Sequence, residues 1–290
     1  PKSKAKIDQI KAYVDTKQRV TIVGSGFIGV EIGLEFAKSG KEVTIIDGAE
    51  HILNTAFDVE LASQAEELAK KVGMTLELGN YVDSIKEENG IVTGVELCGG
   101  KVIKSEVVIL ATGYKPETDL AKKAGLKLAR YGGIWVDEYM RTRDHDIFAV
   151  GDCAARRDFI TREPSKVMLA STSVAEARAA GSSLYKIKYI KGFNGTIAIF
   201  STVIMERAFA SAGVTEVQAK MQNLDIVTGT FEGMNRHPAT IPDAVKQSVK
   251  LIAMNHSGRI IGGQIVGGPE VGELISMEEI LKIRGSCGNE

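Results

Sequence analysis

The chain is short of cysteine, of net charge and of long apolar runs, and each shortage removes a class of protein. Three cysteines, Cys98, Cys153 and Cys287, are too few and too scattered among 290 residues for a disulfide framework or a structural zinc site. No Cys-x-x-Cys or Cys-x4-Cys redox pair occurs. The four histidines, His51, His145, His237 and His256, have no metal-ligand spacing, and no local serine-histidine-aspartate signature is present. Basic and acidic residues number 36 and 37, a net charge of −1, so no broad cationic field exists to displace counterions from nucleic acid. No apolar stretch approaches membrane-spanning length, and no charged-then-apolar leader precedes a cleavage site. These absences point to a cytoplasmic protein with no metal, nucleic-acid or membrane partner. With 44% apolar residues, the chain can still bury more than one core, and two or three domains are expected.

What is present begins at "TIVGSGFIGVEIG", residues 21 to 33. "RVTIVG" reads as a short buried parallel strand ended by Gly24, and Ile28, Ile32, Glu35 and Phe36 open a helix that stops at Gly40. A second strand, "EVTIID", ends at Asp47, 18 residues beyond Gly29. Strand, glycine turn, helix, strand and carboxylate together form a dinucleotide-binding pattern. Gly24 makes the tight turn, Gly26 lets backbone approach a pyrophosphate, and Gly29 lets helix pack on strand, with phosphate charge resting at the helix N-terminus. Asp47 is placed to accept hydrogen bonds from the adenosine ribose, which favours NADH over NADPH because a carboxylate repels a 2′-phosphate.

Beyond Asp47, "DVELASQAEELAKKVG" is an amphipathic helix, capped by Asp58 and stopped by Gly73, with Leu61, Ala65, Leu68, Ala69 and Val72 on one face. Four short strands follow, with hairpin signals at Asn89-Gly90 and Gly99-Gly100, so an antiparallel meander should accompany the parallel sheet; Cys98 reads as packing within it. "PKSKAKIDQIK" reads as a solvated helix face. From about Lys188 the text supplies further strands, a capping box at Thr215 and Gln218, a glycine-rich strand "GGQIVGG" and a terminal helix, an α+β module.

Three more segments carry a resemblance. "VVILATGYKPET" (Val107 to Thr118), "GGIWVDEYMRTRDHDIFAVGDCA" (Gly132 to Ala154) and "PSKVMLASTSVAEARAAG" (Pro164 to Gly181) follow the glycine turn in an order and spacing that resemble the flavin-dependent pyridine nucleotide-disulfide oxidoreductases. Within that family the chain is similar to the NADH oxidase and coenzyme A-disulfide reductase branch, particularly its archaeal members. The resemblance implies an α/β protein with a Rossmann-like NAD-binding domain and meander over residues 1–116, the C-terminal part of an FAD-binding domain over 117–187, and an interface domain over 188–290 that pairs two subunits.

It implies NAD and FAD as cofactors, with the nucleotide on Gly24, Gly26, Phe27, Ile28, Gly29, Glu31, Asp47 and Gly113, and the flavin on Gly151, Asp152 and the helix start at Leu169, Ala170, Ser171 and Thr172. Asp152, delivered after Gly151 from the end of a buried strand, would hydrogen-bond the ribityl chain. Early amides of the following helix would face the flavin ring. Glu31 would orient the nicotinamide, and Phe27, where relatives often have Tyr, would gate its pocket by stacking. Where many relatives carry Ala-Asn-Arg-Gln-Gly-Arg-like text, this chain has "SVAEAR" from Ser173 to Arg178.

The implied activity is NADH:flavin oxidoreduction, with electrons passing on to oxygen, a disulfide or a sulfur compound. The family begins with another glycine turn that grips FAD, followed in some members by a reactive cysteine, and it continues beyond "ILKIRGSCGNE". This chain therefore reads as a fragment, a degraded or truncated gene product, or a separate subunit, with no catalytic residue of its own; its expected partners are its own copy and, in the separate-subunit case, a chain carrying the rest of the FAD domain. Cys153 reads as a small packed thiol. A non-catalytic NADH-binding and dimerisation module is the alternative.

Overall fold

The computed structural model describes residues 3–185 and 192–275. The chain forms two compact units, one built from the segment up to Gly113 together with the segment from Ile199 onward, the other from Tyr114 to Ala198.

The first unit starts with α1 (Lys4–Asp15), a solvated helix that buries only Val14 and is capped by the Ser3 hydroxyl. Strand β1 (Arg19–Val23) then enters the core, where Val20 and Ile22 pair in parallel with Val43 and Ile45 of β2 (Glu42–Asp47). Between them, α2 (Phe27–Lys38) buries Gly29, Val30, Gly33 and Leu34, a three-and-four spacing that lays one face on the sheet. It ends at Ser39, and Gly40 takes the left-handed conformation that stops it (φ +83°). Helix α3 (Val59–Lys71) buries Leu61, Ala62, Ala65 and Ala69 and leads to β3 (Thr75–Leu78). The meander β4 (Val82–Glu88), β5 (Ile91–Leu97) and β6 (Val102–Lys104) follows, antiparallel throughout. Strand β7 (Val107–Leu110) returns beside β1, giving the parallel order β3-β2-β1-β7. The expected α/β class, with parallel sheet and antiparallel meander, is the class observed.

The returning segment of this unit is a five-stranded antiparallel sheet in the order β10-β11-β14-β13-β12. Its strands are β10 (Ile199–Ile204), β11 (Arg207–Gly213), β12 (Ile226–Met234), β13 (Lys246–Met254) and β14 (Ile260–Gly267). The helix α6 (Glu216–Met221) opens on the capping box of Thr215 and Gln218. One core cluster joins the parallel and antiparallel parts of the unit: Ile204, Phe209 and Val266 of the antiparallel sheet share it with Phe57 and with Leu61 and Ala65 of α3. Residues 271–275 begin the expected terminal helix; the rest of it, and Cys287, lie outside the described residues.

Two expectations need correction in this unit. Asp58 stands at the N-cap position of α3 but makes no cap bond there. Its carboxylate instead accepts from the backbone amides of Glu216 and Val217, at 3.0 and 3.3 Å, and from Gln264 Nε2, at 2.6 Å, because these distant donors reach it in the buried seam. Cys98 does not pack: it is exposed in the β5–β6 turn, where the left-handed Gly100 turns the chain away from the core.

The second unit is loop-rich. It contains α4 (Asp119–Lys123), a 3-10 turn at Gly151–Cys153, the two-residue strands β8 (Arg156–Arg157) and β9 (Pro164–Ser165), and α5 (Ala170–Ser183). Ala121, Ile134, Ala149 and Ala154 form its small core. The segment before Asp152 was expected as a buried strand, yet it is irregular: Phe148 makes a single bridge to Arg141 and no ladder continues it. An extended apolar run needs a neighbouring strand to become a sheet member, and none is paired to it among the described residues. Among these residues no helix is long and apolar enough to cross a membrane, and no cluster of His, Cys, Asp and Glu could hold a metal ion.

The seam within the first unit is closed by Lys250 of β13, whose buried ammonium lies 3.2 Å from Asp58, 3.0 Å from Glu60 and 2.7 Å from Glu216. Burial opposes the ammonium form, but the bonds to Glu216, Glu60 and Asp58 prevail and raise the Lys250 pKa above its ordinary value. Bonds from Lys220 and Lys250 hold the Glu216 carboxyl below its ordinary range. Lys250→Ala, which leaves the buried Asp58 carboxylate without its counterion, should lower the unfolding free energy by about 3–5 kcal/mol in urea titration; a loss under about 1 kcal/mol would mark the cluster as solvent-screened. The Glu216 contribution should be complete above about pH 4.3 and vanish as pH falls through the depressed value, while the Lys250 contribution should be complete below about pH 10.4 and vanish as pH rises through the elevated one.

Candidate functional site

The three glycines after β1 perform three different tasks. Gly24 has φ +109°, a Cβ there would lie 2.4 Å from the Ala111 carbonyl oxygen, and its amide donates to Ile46 O at 2.8 Å, so the chain turns sharply between two strands. A Cβ on Gly29 would lie 2.0 Å from Gly24 O, which is the contact that lets α2 sit on the turn. Gly26 differs: a Cβ on it would meet nothing within 4 Å, so the backbone there faces open space. Gly26 is also the N-cap of α2 and supplies no side-chain cap. The first-turn amides of Phe27, Ile28 and Gly29 have no intrahelical acceptor, an arrangement that suits an anion.

Asp47, at the end of β2, braces this loop. One carboxylate oxygen accepts from Ser25 N at 2.6 Å and Ser25 Oγ at 2.7 Å, and the other from Ala49 N at 2.9 Å. A carboxylate offers about four lone-pair sites, so acceptor capacity remains for a ribose hydroxyl. The buried Ser25 escaped the sequence reading; its signal was a small hydroxyl residue between the first two glycines.

The helix after the turn is tied to the antiparallel sheet. Phe27 stacks on Phe200 with centroids 5.0 Å apart and tilts against Phe57 at 6.3 Å, so its ring is packed in an aromatic cluster. Ile28 is 54% exposed at the mouth of the turn. Glu31 accepts a hydrogen bond from Thr202 Oγ1 at 2.9 Å. Gly113 is exposed just beyond β7, with φ +109°.

In the second unit, Gly151 has φ +80°, and Asp152 is exposed with no hydrogen bond among the described residues. Glu176 and Arg156, both buried, hold this turn from behind. Glu176 Oε2 accepts from Gly151 N at 2.8 Å, while Arg156 donates to the Gly151 carbonyl and, at 2.9 Å, to that of Val167. The two also meet directly: Arg156 Nη2 donates to Glu176 Oε2 at 3.3 Å, and Arg156 Nε forms an ion pair with Glu176 Oε1 at 3.1 Å. Burial pushes the Glu176 carboxyl above the usual range, with Arg156 and the Gly151 amide opposing it. Sequence reasoning missed this pair because two charges 20 positions apart look like surface residues. Leu169 leaves the start of α5 without a side-chain cap, so the Ala170, Ser171 and Thr172 amides are first-turn donors; the Thr172 hydroxyl turns inward to Thr196 Oγ1, 2.6 Å away. Cys153 is half-buried, and burial raises its thiol pKa. A cleft of about 500 Å3 borders Tyr114, Lys115, Arg130, Tyr131 and Lys166.

The predicted residues thus gather in two groups, Gly24 to Glu31 with Asp47 in one unit and Gly151, Asp152 and the α5 start in the other. Comparison with known proteins decides what frame they belong to. Residues 2–177 match the pyridine nucleotide-disulphide oxidoreductase family, and residues 199–281 match its dimerisation domain. The chain belongs to that family.

Among curated members, this chain is 32% identical over 252 residues to an NADH oxidase of Enterococcus faecalis and 33% identical over 255 residues to an NAD(P)H coenzyme A polysulfide/persulfide reductase of Pyrococcus horikoshii. Each alignment covers 86% of this chain and 55% of the relative, so the chain spans about half the length of the curated relatives it matches. A solved water-forming NADH oxidase from Lactobacillus brevis, bound to NADH, superposes with a TM-score of 0.90 at 26% identity, covering 97% of this chain and 62% of that one.

The glycine tasks separate experimentally in this family member. Gly29→Ala places a methyl where Gly24 O stands and should cost about 1–3 kcal/mol in a denaturant titration, whereas Gly26→Ala, which meets no obstacle, should cost only the smaller loss of a glycine N-cap, under about 1 kcal/mol. Equal melting of the Gly29 variant and the parent would contradict the packing assignment.

Proposed function

We propose that the chain binds NADH on the Gly24–Gly29 turn and FAD through Asp152 and the start of α5, as part of a cytoplasmic, homodimeric NADH:flavin oxidoreductase. The observation that carries the reading is the open space before Gly26, where uncapped first-turn amides meet a loop braced by Asp47. Both groups pass a test of fit. At the nucleotide turn a Cβ on Gly26 would meet nothing within 4 Å among the described residues, and the carboxylate at Asp47 opposes a 2′-phosphate, which supports NADH over NADPH. At the flavin residues Asp152 is exposed, and a Cβ at Gly151 would come no nearer than 3.7 Å to Ser173.

Flavin, when bound, supplies the acceptor for the hydride of NADH, and the electrons go on to oxygen, a disulfide or a sulfur compound. The residues of this chain bind and orient. The turn amides hold the pyrophosphate, Asp47 the ribose, and Glu31 and Phe27 the nicotinamide end, while Gly113 lets backbone lie along the nucleotide. Asp152 holds the ribityl hydroxyls in position, and the Arg156–Glu176 pair keeps its turn from moving. Hydride transfer depends on proximity and alignment, so the chain needs no general acid or base for it. The domain division this reading uses is nucleotide-binding over 1–116, flavin-binding over 117–187 and subunit-pairing over 188–290. The partners it requires are a second copy and the remaining FAD-binding segment or chain.

The test is the visible spectrum of the purified protein before and after anaerobic NADH. Oxidised-flavin absorbance that bleaches supports the oxidoreductase reading; a colourless protein that binds NADH would reduce it to a nucleotide-binding and pairing module. Asp47→Arg should weaken NADH binding at least about tenfold in calorimetry, roughly 1.4 kcal/mol. Unchanged affinity in that variant would remove the nucleotide assignment altogether.

A further inference from the structure

We infer that Thr202 is a positioning residue for the nicotinamide end of the dinucleotide, acting through Glu31. The inference rests on the NADH reading above and adds to it a contribution from the antiparallel sheet.

Thr202 lies in the middle of β10, where burial alternates: Ser201 and Val203 are exposed, and Thr202 and Ile204 are buried. Phe200, Thr202 and Ile204 therefore share the inward face, the face that meets α2. The strand is fixed at this point from both sides. Thr202 pairs with Phe209 across the ladder, and two residues earlier Phe200 stacks on Phe27 in the first turn of α2. Thr202 is 6% exposed, and its β-branched side chain has few rotamers to choose from. Its hydroxyl donates to Glu31 Oε1 at 2.9 Å.

Glu31 sits on the exposed side of α2, two residues beyond Gly29, and this is its one hydrogen bond among the described residues. A free glutamate on a helix surface samples many rotamers and must be ordered by any ligand it binds, at a cost in side-chain entropy. The threonine removes part of that freedom before the ligand arrives. It fixes one carboxylate oxygen and leaves the other open to an N–H donor, such as the amide of a nicotinamide ring. Residues 199 onward thereby reach the redox end of a site whose phosphate end is built by residues 19 to 47.

The test is calorimetry of the full chain with NADH and with ADP-ribose, which lacks the nicotinamide. Thr202→Val should weaken NADH about threefold to tenfold, the range of one hydrogen bond, and leave ADP-ribose unchanged. Thr202→Ser, which keeps the hydroxyl, should restore NADH affinity, and in a Glu31→Ala background Thr202→Val should have no further effect. Fluorescence of the bound reduced nicotinamide should shift in the valine variant and return in the serine variant. The proposal is overturned if Thr202→Val binds NADH like the parent, weakens both ligands equally, or keeps its full effect without Glu31. Failure of the parent to bind ADP-ribose would instead overturn the NADH reading, and the proposal with it.

Discussion

The arrangement of the first unit depends on one buried cation. Lys250 projects from β13 into the buried seam, where its ammonium is accepted because Asp58, Glu60 and Glu216 converge on it. Asp58 is the hinge of that cluster, since its carboxylate also serves the N-terminal amides of α6 and the Gln264 side chain. The consequence is geometric. Polar groups from α3, α6, β13 and β14 are satisfied together in this register, which also brings Phe200 onto Phe27 and Phe209 onto Phe57. Apolar packing provides the contact area, and the charged cluster selects the alignment.

The nucleotide turn shows the same division between what packs and what specifies. Gly24 and Gly29 are needed because backbone approaches backbone where a Cβ cannot fit, and neither has to touch a ligand. Gly26 alone faces open space. Asp47 links these levels, because the carboxylate suited to a ribose is also the acceptor that holds Ser25 in the loop. In the second unit Glu176 plays a comparable supporting part for Gly151, from α5, which begins at Ala170, well beyond the Gly151–Cys153 turn it holds.

Much of this was legible in the sequence because it is local. Glycines at fixed spacing, apolar residues three and four apart in α3, and the Asn89-Gly90 dipeptide each encode their structure within a few residues. What was not legible depends on partners far along the chain. Asp58 has every local mark of a helix cap, and only Lys250 and Gln264, about 200 positions away, reveal why its carboxylate turns elsewhere. Arg156 and Glu176 read as surface charges until folding buries both. The run before Asp152 has strand composition, but composition cannot supply a pairing neighbour. The family resemblance was readable for a different reason: several linked motifs recur in one order, whereas no single one of them would suffice.

The first unit is also discontinuous, since the chain leaves it at Gly113 and re-enters at Ile199. During synthesis, at about 5–20 residues per second, the parallel sheet emerges well before the strands that cover Phe57 and Leu61. For several seconds the nascent chain presents an apolar helix face and an aromatic ring to the cell, with the carboxylates of Asp58 and Glu60 awaiting their lysine. The core shared by the two segments is therefore completed only when the later one has emerged.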